Sequence, residues 1–318
     1  KMNNRDIDQL FLNGKMMVEA RWPNRKFPED LWNPSTWAGT GKGSRHGKVV
    51  DPELGKTNID WTGAVAVLNV AHQFFTWSRK VKEHTPGSNT FNYDENLSVI
   101  THFGDKTKPW EDDRYYLFGK LEALDTSGEW YLDREKNILY LLPPDNKSPE
   151  NHKIEAKARD FGFDLQNKDY IEINGFILQA STIRMKDCNH TLIRNCRFRF
   201  PVYTRHIPEP SKDIRKTFIS GDYNTVRNCK IAYSPLNGLV MAGSHNKVDN
   251  TVIHDVCWNG SLRFVPLSLS SGKKEEGRCV VQKNTIYNMG NAGISINGQH
   301  YIIEHNHVYN EGLACKDI

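Results

Sequence analysis

The sequence predicts an all-β protein whose C-terminal half is a right-handed parallel β-helix, and two observations carry this prediction. Asparagines recur from residue 174 onward, each followed three residues later by an apolar or aromatic residue: Asn174, Asn195, Asn228, Asn250, Asn284 and Asn306. Their successive spacings are 21, 33, 22, 34 and 22 residues. The two longer spacings exceed the others by about one loop insertion, and residues 201–212 and 261–277 supply loop-like sequence there.

A coil of three short strands and three turns needs roughly twenty residues and bonds only to its neighbours. An asparagine at the same turn of each coil can stack on the next through its amide. By strand alternation, residues one and three after each asparagine are expected to point inward. These pairs are Cys196 and Phe198, Cys229 and Ile231, Thr251 and Ile253, Thr285 and Tyr287, and His307 and Tyr309. Strands at 238–243 and 293–298 complete the coils, and the leucine spacing of leucine-rich repeats is absent.

Residues 1–153 follow a different pattern, which predicts a separate β-rich module of barrel or sandwich type. They contain seven of the eight tryptophans and show no repeat. Apolar segments at 10–12 and 64–68 read as strands, and 129–133 with 138–142 read as a β-hairpin. The sequence therefore predicts two parts, 1–153 and 154–318, with the coils expected to continue beyond residue 318.

The charge pattern argues against two classes of partner. The net charge is +4, with both signs interspersed and no stripe of Lys and Arg, so nucleic-acid binding is not predicted. No run of about 18 apolar residues is present, so no membrane span is predicted. No oligomeric state is predicted.

The six cysteines include no Cys-x-x-Cys pair, which argues against a structural zinc site. Cys196 and Cys229 are expected in the same place on neighbouring coils. Parallel side chains suit disulfide geometry poorly, so we expect free thiols packed as small apolar groups.

The loop insertions are expected to wall a groove along one face of the coils, which suits an extended polymer. Asp255 and Glu311 each lie five residues after a repeat asparagine, which predicts equivalent positions two coils apart, at about 10 Å. Asp317 is expected to face the same groove. Because glycoside cleavage needs one protonated and one ionised carboxyl, Asp317, Asp255 and Glu311 are the predicted catalytic residues. The alternative for each is a solvated turn residue or cap.

Several neutral and basic residues near these turns are predicted to bind substrate. His254 adjoins Asp255, and the Trp258 ring is suited to stacking on a sugar or, alternatively, to local packing. The full set is His254, Trp258, Asn259, Arg263, Asn291, Asn297 and Lys316. His305 and His307 are expected to share the inward side, with His307 an interior histidine. No metal or other cofactor is predicted, although a structural calcium ion, or one serving a lyase, is an alternative.

The segments 9–15 (QLFLNGK), 20–24 (ARWPN), 128–133 (GEWYLD) and 305–310 (HNHVYN) with Lys316 and Asp317 resemble pectate-lyase-like β-helix proteins of glycan-degrading bacteria, in particular glycoside hydrolase family 141. That family has fucosidase and xylanase activities. The resemblance implies an inserted β-rich module before the solenoid, two acidic catalytic residues on the groove, and a secreted, periplasmic or cell-surface protein. Family members are longer than this chain, so a catalytic carboxylate beyond residue 318 is an alternative to this pairing.

The predicted function is therefore hydrolysis of a complex plant or algal polysaccharide or oligosaccharide by paired carboxylates. One alternative is a lyase that acts on a uronic-acid glycan and releases unsaturated products. The other is a solenoid that binds glycans without turnover.

Overall fold

The computed structural model describes residues 7–94, 109–207, 216–271 and 278–315. The described chain forms two compact units. The N-terminal unit comprises residues up to 158 together with 204–207, and the solenoid unit comprises 159–203 and the residues from 216 onward. The break lies after Ala158 rather than after residue 153, because the strand Ile154–Ala156 pairs with the strand Leu10–Leu12. Part of the predicted 201–212 insertion thus belongs to the N-terminal unit.

The N-terminal unit is made of short strands and 3-10 turns. Its strands are β1 (Leu10–Leu12), β2 (Lys15–Glu19), β3 (Arg21–Trp22), β4 (Ala38–Gly39), β5 (Lys48–Val50), β6 (Val65–Val70), β7 (Phe75–His84), β8 (Thr90–Tyr93), β9 (Arg114–Phe118), β10 (Glu129–Asp133), β11 (Ile138–Leu141) and β12 (Ile154–Ala156). The 3-10 turns are Pro34–Thr36, Leu54–Thr57, Leu121–Ala123 and Pro149–Asn151.

Two sheets hold this unit together. One has the order β11-β10-β2-β1-β12, and the other has the order β3-β9-β6-β7-β8-β5, with β4 pairing β9. The predicted hairpin is confirmed, since β10 and β11 are antiparallel. Trp61 and Trp130 are both fully buried, which accounts for part of the tryptophan enrichment: these large rings supply apolar area for the cores of a small unit.

The solenoid unit is built from eighteen strands: β13 (Phe161–Gln166), β14 (Glu172–Asn174), β15 (Ile177–Gln179), β16 (Thr182–Lys186), β17 (Leu192–Arg194), β18 (Arg197–Arg199), β19 (Phe218–Ser220), β20 (Thr225–Arg227), β21 (Lys230–Ser234), β22 (Leu239–Ala242), β23 (Lys247–Asp249), β24 (Val252–Val256), β25 (Leu267–Ser270), β26 (Cys279–Gln282), β27 (Thr285–Met289), β28 (Ile294–Asn297), β29 (Tyr301–Glu304) and β30 (His307–Tyr309).

These strands form three six-stranded parallel sheets, and every third strand along the chain joins the same sheet. The first sheet runs from β13 to β28, the second from β14 to β29 and the third from β15 to β30. One strand from each sheet makes a rung, so the unit is a parallel β-helix of six described rungs, as the repeat predicts. Inward side chains of successive rungs stack into one apolar core, exemplified on the third sheet by Phe198, Ile231 and Ile253.

The asparagine repeat marks a turn in which the backbone is left-handed. Asn195, Asn228 and Asn250 occupy equivalent positions with φ of 54°, 52° and 45°, a conformation that asparagine tolerates better than most residues. The Asn228 amide donates to Asn195 Oδ1 at 3.4 Å, and the Asn250 amide donates to Asn228 Oδ1 at 2.9 Å. Asn174 lies one position earlier but still accepts from the Asn195 amide at 2.9 Å. The predicted stacking is therefore confirmed for these residues.

The last two asparagines lie one position later than predicted. Thr285 pairs with Val252, which aligns Asn284 with Thr251 and aligns Lys283 with Asn250. The Asn284 amide donates a hydrogen bond to Asn306 Oδ1 at 2.9 Å.

This shift overturns the predicted inward positions in the last two rungs. Tyr287, His307 and Tyr309 point outward, whereas Ile286 is fully buried. His305 and His307 are both exposed, so the prediction that they share the inward side is wrong.

The cysteines are free thiols, as predicted, and Cys196 and Cys229 are buried in the core. Burial raises the pKa of the Cys229 thiol to about 12, which keeps it protonated. No helix among the described residues is long and apolar enough to span a membrane.

Candidate functional site

The site lies where the third sheet ends and the chain turns toward the first sheet of the next rung. The turn residue there is left-handed in every rung, with φ between 52° and 64°. In rung order these residues are Ala180, Phe200, Tyr233, Asp255, Asn288 and Asn310. Asp255 is the carboxylate of this column. We call the corner around it the Asp255 site.

Asp255 is held at both carboxylate oxygens. The Nδ1 atom of His254 lies 2.6 Å from Oδ2, and in the tautomer with the proton on Nδ1 the imidazole donates to the carboxylate. The Asn288 amide donates to Oδ1 at 3.2 Å, and the Asn310 amide donates in turn to Asn288 Oδ1 at 3.1 Å. Donors aimed at both oxygens favour the ionised form of the acid.

His254 stands on the outward face of the third sheet within a stack of rings. Its imidazole lies parallel to the Tyr287 ring at 4.8 Å, and Tyr287 lies parallel to Tyr309 at 5.2 Å. The Tyr233 ring meets His254 edge-on at 5.7 Å. Only 7% of the His254 side chain is exposed, and its Nε2 atom is buried without a hydrogen-bond partner among the described residues. The imidazole is thus fixed in orientation with one nitrogen uncommitted.

The neighbouring phenols are electrostatically coupled to the carboxylate. Burial, and then the negative charge of Asp255, raise the pKa of Tyr233. Burial and then Asp255 raise the pKa of Tyr287 as well. Both phenols are therefore neutral hydroxyl groups near neutral pH. The Asp255 site combines a carboxylate, an imidazole and two phenols, which are groups suited to acid-base chemistry.

The predicted equivalence of Asp255 and Glu311 is wrong. The residue that corresponds to Asp255 two rungs later is Asn310, and Glu311 follows it on the exposed turn. Asp317 and Lys316 lie outside the described residues.

Three predicted substrate-binding residues lie in the loop that follows β24. Trp258 and Asn259 are 7% and 3% exposed, and Asn259 Oδ1 accepts from the backbone of Ser261. Arg263 lies over the Phe264 ring at 4.9 Å, and burial lowers the pKa of its guanidinium to about 10.

The other two predicted substrate-binding residues among the described ones are Asn291 and Asn297. Asn291 is buried, and its amide donates to the carbonyls of Leu262 and Phe264 at 2.7 and 3.1 Å, which secures the loop. Asn297 ends a strand of the first sheet and so lies at a different corner of the rung.

Tyr233, Tyr287 and Asn288 were missed from the sequence as site residues. Tyr233 and Asn288 lie 22 residues before and 33 after Asp255, which are the two repeat spacings, so the repeat itself held the signal. Tyr287 was assigned to the interior because of the one-residue shift.

Among the described residues, no group of three or more His, Cys, Asp or Glu side chains is arranged to hold a metal ion.

Comparison with known proteins supports the fold. Residues 181–316 match the family described as "Right handed beta helix region". A solved structure named "Glycoside hydrolase" is 13% identical with a TM-score of 0.44, and the match covers 97% of this chain and 78% of the other. No curated protein matches. The solenoid unit is thus similar to right-handed parallel β-helix proteins, with the hand that the sequence predicts.

Proposed function

We propose that this protein cleaves glycosidic bonds in a polysaccharide or oligosaccharide, and that Asp255 is one of the two catalytic carboxyl groups. The observation that carries the proposal is the contact of Asp255 with His254 at 2.6 Å beside two phenols at the end of the third sheet.

The proposed reaction is hydrolysis by one ionised and one protonated carboxyl. His254 and Asn288 favour the ionised form of Asp255, so we assign it the role of general base that activates water. The second carboxyl is proposed to be Glu311 or Asp317, which follow Asn310 in sequence. Asn310 lies two strand spacings, about 10 Å, from Asp255. A carboxyl near Asn310 that reaches to within about 6.5–9.5 Å of Asp255 would suit an inverting reaction.

A glycan fits the outward face of the third sheet because that face repeats along the solenoid axis. Tyr287 and Tyr309 present one ring per rung at 5.2 Å, and His307 packs on Tyr309 at 4.6 Å. Hydroxyl and imidazole groups repeated at this spacing can bond to the hydroxyl groups of an extended sugar chain.

One observation favours a lyase as the second candidate. Arg199 lies close enough to Tyr233 to lower its pKa, although burial outweighs this effect. A lyase removes the proton next to a uronate carboxylate, which requires a cation to neutralise that carboxylate and a base to take the proton. Arg199 is the candidate for the first, and His254, two rungs along the axis, is the candidate for the second, with its Nε2 atom buried until substrate enters.

The test is to screen the full chain against a panel of polysaccharides and to measure product masses. Products heavier by one water indicate hydrolysis, whereas unsaturated products that absorb in the ultraviolet indicate elimination. Asp255→Asn is expected to lower the rate by a factor of about 10²–10⁴. The matched control is Asp164→Asn on the first sheet, whose carboxylate pairs with Arg184.

Full activity in Asp255→Asn would remove this residue from the mechanism. Glycan binding without turnover on the entire panel would favour the non-catalytic solenoid.

A further inference from the structure

Charged residues on the outward faces of the first two sheets are neutralised between rungs. On the described strands of these two sheets, each outward basic residue except Lys186 meets an acidic residue of its own or an adjacent strand. The pairs are Arg184 with Asp164 at 2.6 Å, Arg194 with Glu172 at 2.7 Å, Arg227 with Asp249 at 2.9 Å and Lys247 with Asp249 at 3.9 Å.

The outward face of the third sheet is different. Arg197 and Arg199 point outward from β18, and Lys230 points outward from β21 directly opposite Arg197. All three are exposed, and none of them forms an ion pair with a carboxylate in the described parts of the chain. We call these three residues the cationic strip.

Neither outward column of this sheet contains an acidic residue in the described rungs, and Asp255 lies at the edge of the face, directly after His254. One column contains Ile177, Arg197, Lys230, Val252, Thr285 and His307, and the other contains Gln179, Arg199, Ala232, His254, Tyr287 and Tyr309. Like charges directly opposite each other on neighbouring strands destabilise a sheet. The strip therefore costs stability that an anion bound from outside would recover.

The strip has a defined position relative to Asp255. Lys230 lies one rung before the His254 rung, and Arg197 and Arg199 lie two rungs before it, about 5 and 10 Å along the axis. On the other side of Asp255, the next two rungs carry Tyr287 and Tyr309. Between the strip and these rings, the outward residues Ala232 and His254 are only 2% and 5% exposed. A ligand that lies along the axis thus meets cations on one side of this covered segment and neutral rings on the other.

We propose that the outward face of the third sheet binds an anionic glycan. Its carboxylate or sulfate groups lie over the cationic strip, and its uncharged sugars lie over Tyr287 and Tyr309. The placement of the scissile bond at Asp255 rests on the proposed function, whereas recognition of the anion does not depend on cleavage.

The test measures binding by the full chain carrying Asp255→Asn, so that turnover does not consume the ligand. The probes are polygalacturonate, its methyl-esterified neutral form, dextran sulfate and dextran. Each anionic probe that fits is expected to bind at least about tenfold tighter than its neutral partner, a free-energy difference of about 1.4 kcal/mol. Added salt is expected to reduce this difference, because the strip is exposed to solvent.

The decisive variant is R197Q/R199Q/K230Q in the same background, which is expected to lose the preference for the anionic probes. Its matched control, K168Q/K186Q/K283Q, removes the same charge from exposed positions outside the third sheet and is expected to keep the preference. Because the first variant relieves repulsion, its melting temperature is expected not to fall.

Each outcome decides a different point. A preference for polygalacturonate or for dextran sulfate identifies the anion as carboxylate or sulfate. Equal binding of all four probes, or an anion preference that survives in R197Q/R199Q/K230Q, overturns the proposal.

Binding of duplex DNA as tight as that of the anionic glycans, and dependent on the strip, would reassign the face to nucleic acid. Cleavage of neutral glycans without anion preference would leave the proposed function intact, and strip-dependent binding without turnover by the unmodified chain would refute only the cleavage.

Discussion

The second and third sheets of the solenoid share one backbone arrangement but differ in their outward side chains. On the second sheet, Arg194 and Arg227 each pair with an acidic residue of a neighbouring rung. On the third sheet, Arg197, Arg199 and Lys230 form no ion pair within the described parts of the chain. The pair of His254 and Asp255 and a stack of rings lie on the rungs that follow. Alternation leaves half of the side chains of every strand free of the core. The second sheet uses these positions for charge neutrality, whereas on the third sheet we propose that the exposed ones bind a ligand.

The largest expected effect is a difference in stability loss between substitutions of inward and outward residues of the third sheet. Phe198 lies between Arg197 and Arg199 on β18 and is 1% exposed. Phe198→Ala is expected to lower the free energy of unfolding by about 3–5 kcal/mol, because it leaves a cavity in the core. Denaturant unfolding measures the loss, with Arg197→Gln as the control on the same strand. A loss below 1 kcal/mol in Phe198→Ala would contradict the assigned direction of these side chains.

The second prediction is that a pH dependence of stability arises in the N-terminal unit, at Glu129, rather than at the third sheet. Both carboxyl oxygens of Glu129 are buried in the N-terminal unit. Burial, and then the charge of Asp125, raise the pKa of Glu129 from 4.5 to about 8, against smaller opposing contributions from nearby main-chain N–H groups. Because the folded protein holds this proton more tightly than the unfolded chain, the stabilisation is complete below pH 4.5 and is lost as the pH rises through 8.

The loss amounts to about 4 kcal/mol at pH 8 relative to Glu129→Gln, which has no proton to release. Unfolding of the unmodified chain and of Glu129→Gln should therefore diverge between pH 5 and 8, and this is measured by denaturant titration at each pH. Parallel profiles for the two proteins would show that Glu129 ionises normally.

The third prediction concerns the positioning of Asp255. His254→Gln removes the imidazole donor from Asp255, and a hydrogen bond to a charged group is worth about 1.5–3 kcal/mol, or about 10- to 100-fold in rate. We expect this loss in kcat with little change in KM, measured on whichever glycan the chain cleaves. The control is His245→Gln, on the turn between the first two sheets, where the imidazole stacks on Tyr223 at 4.3 Å. An unchanged kcat in His254→Gln would show that the pair has no part in the reaction.

The smallest expected effect lies on the second sheet. Arg194→Gln breaks an exposed ion pair with Glu172, which is worth about 0.2–1 kcal/mol of stability. Turnover and anion binding should stay unchanged, as measured by melting temperature, product release and the binding assay above. If Arg194→Gln weakened anion binding as much as Arg199→Gln, the contrast between the two sheets would disappear.

The sequence by itself determined the fold class and the position of two candidate site residues. The spacing of Asn195, Asn228 and Asn250 predicted the rungs, because a coil of fixed length must return to the same turn and because asparagine suits a left-handed backbone. The same period placed His254 and Asp255 at a turn after a strand. These inferences depend only on local conformation and strand alternation.

Only the tertiary structure decided the register beyond Asn250, and with it the composition of the site. After the insertion at 261–277, Asn284 lies one residue later in its rung than the asparagine spacing predicts. A loop of that length can close with one residue more or fewer. Because side chains alternate along a strand, a shift of one residue turns inward side chains outward. That exchange brings Tyr287 to the outward face beside His254 and aligns Asn310, not Glu311, with Asp255. The cationic strip likewise becomes visible only when β18 and β21 are paired, because an ion pair or its absence is a property of neighbouring rungs rather than of neighbouring residues.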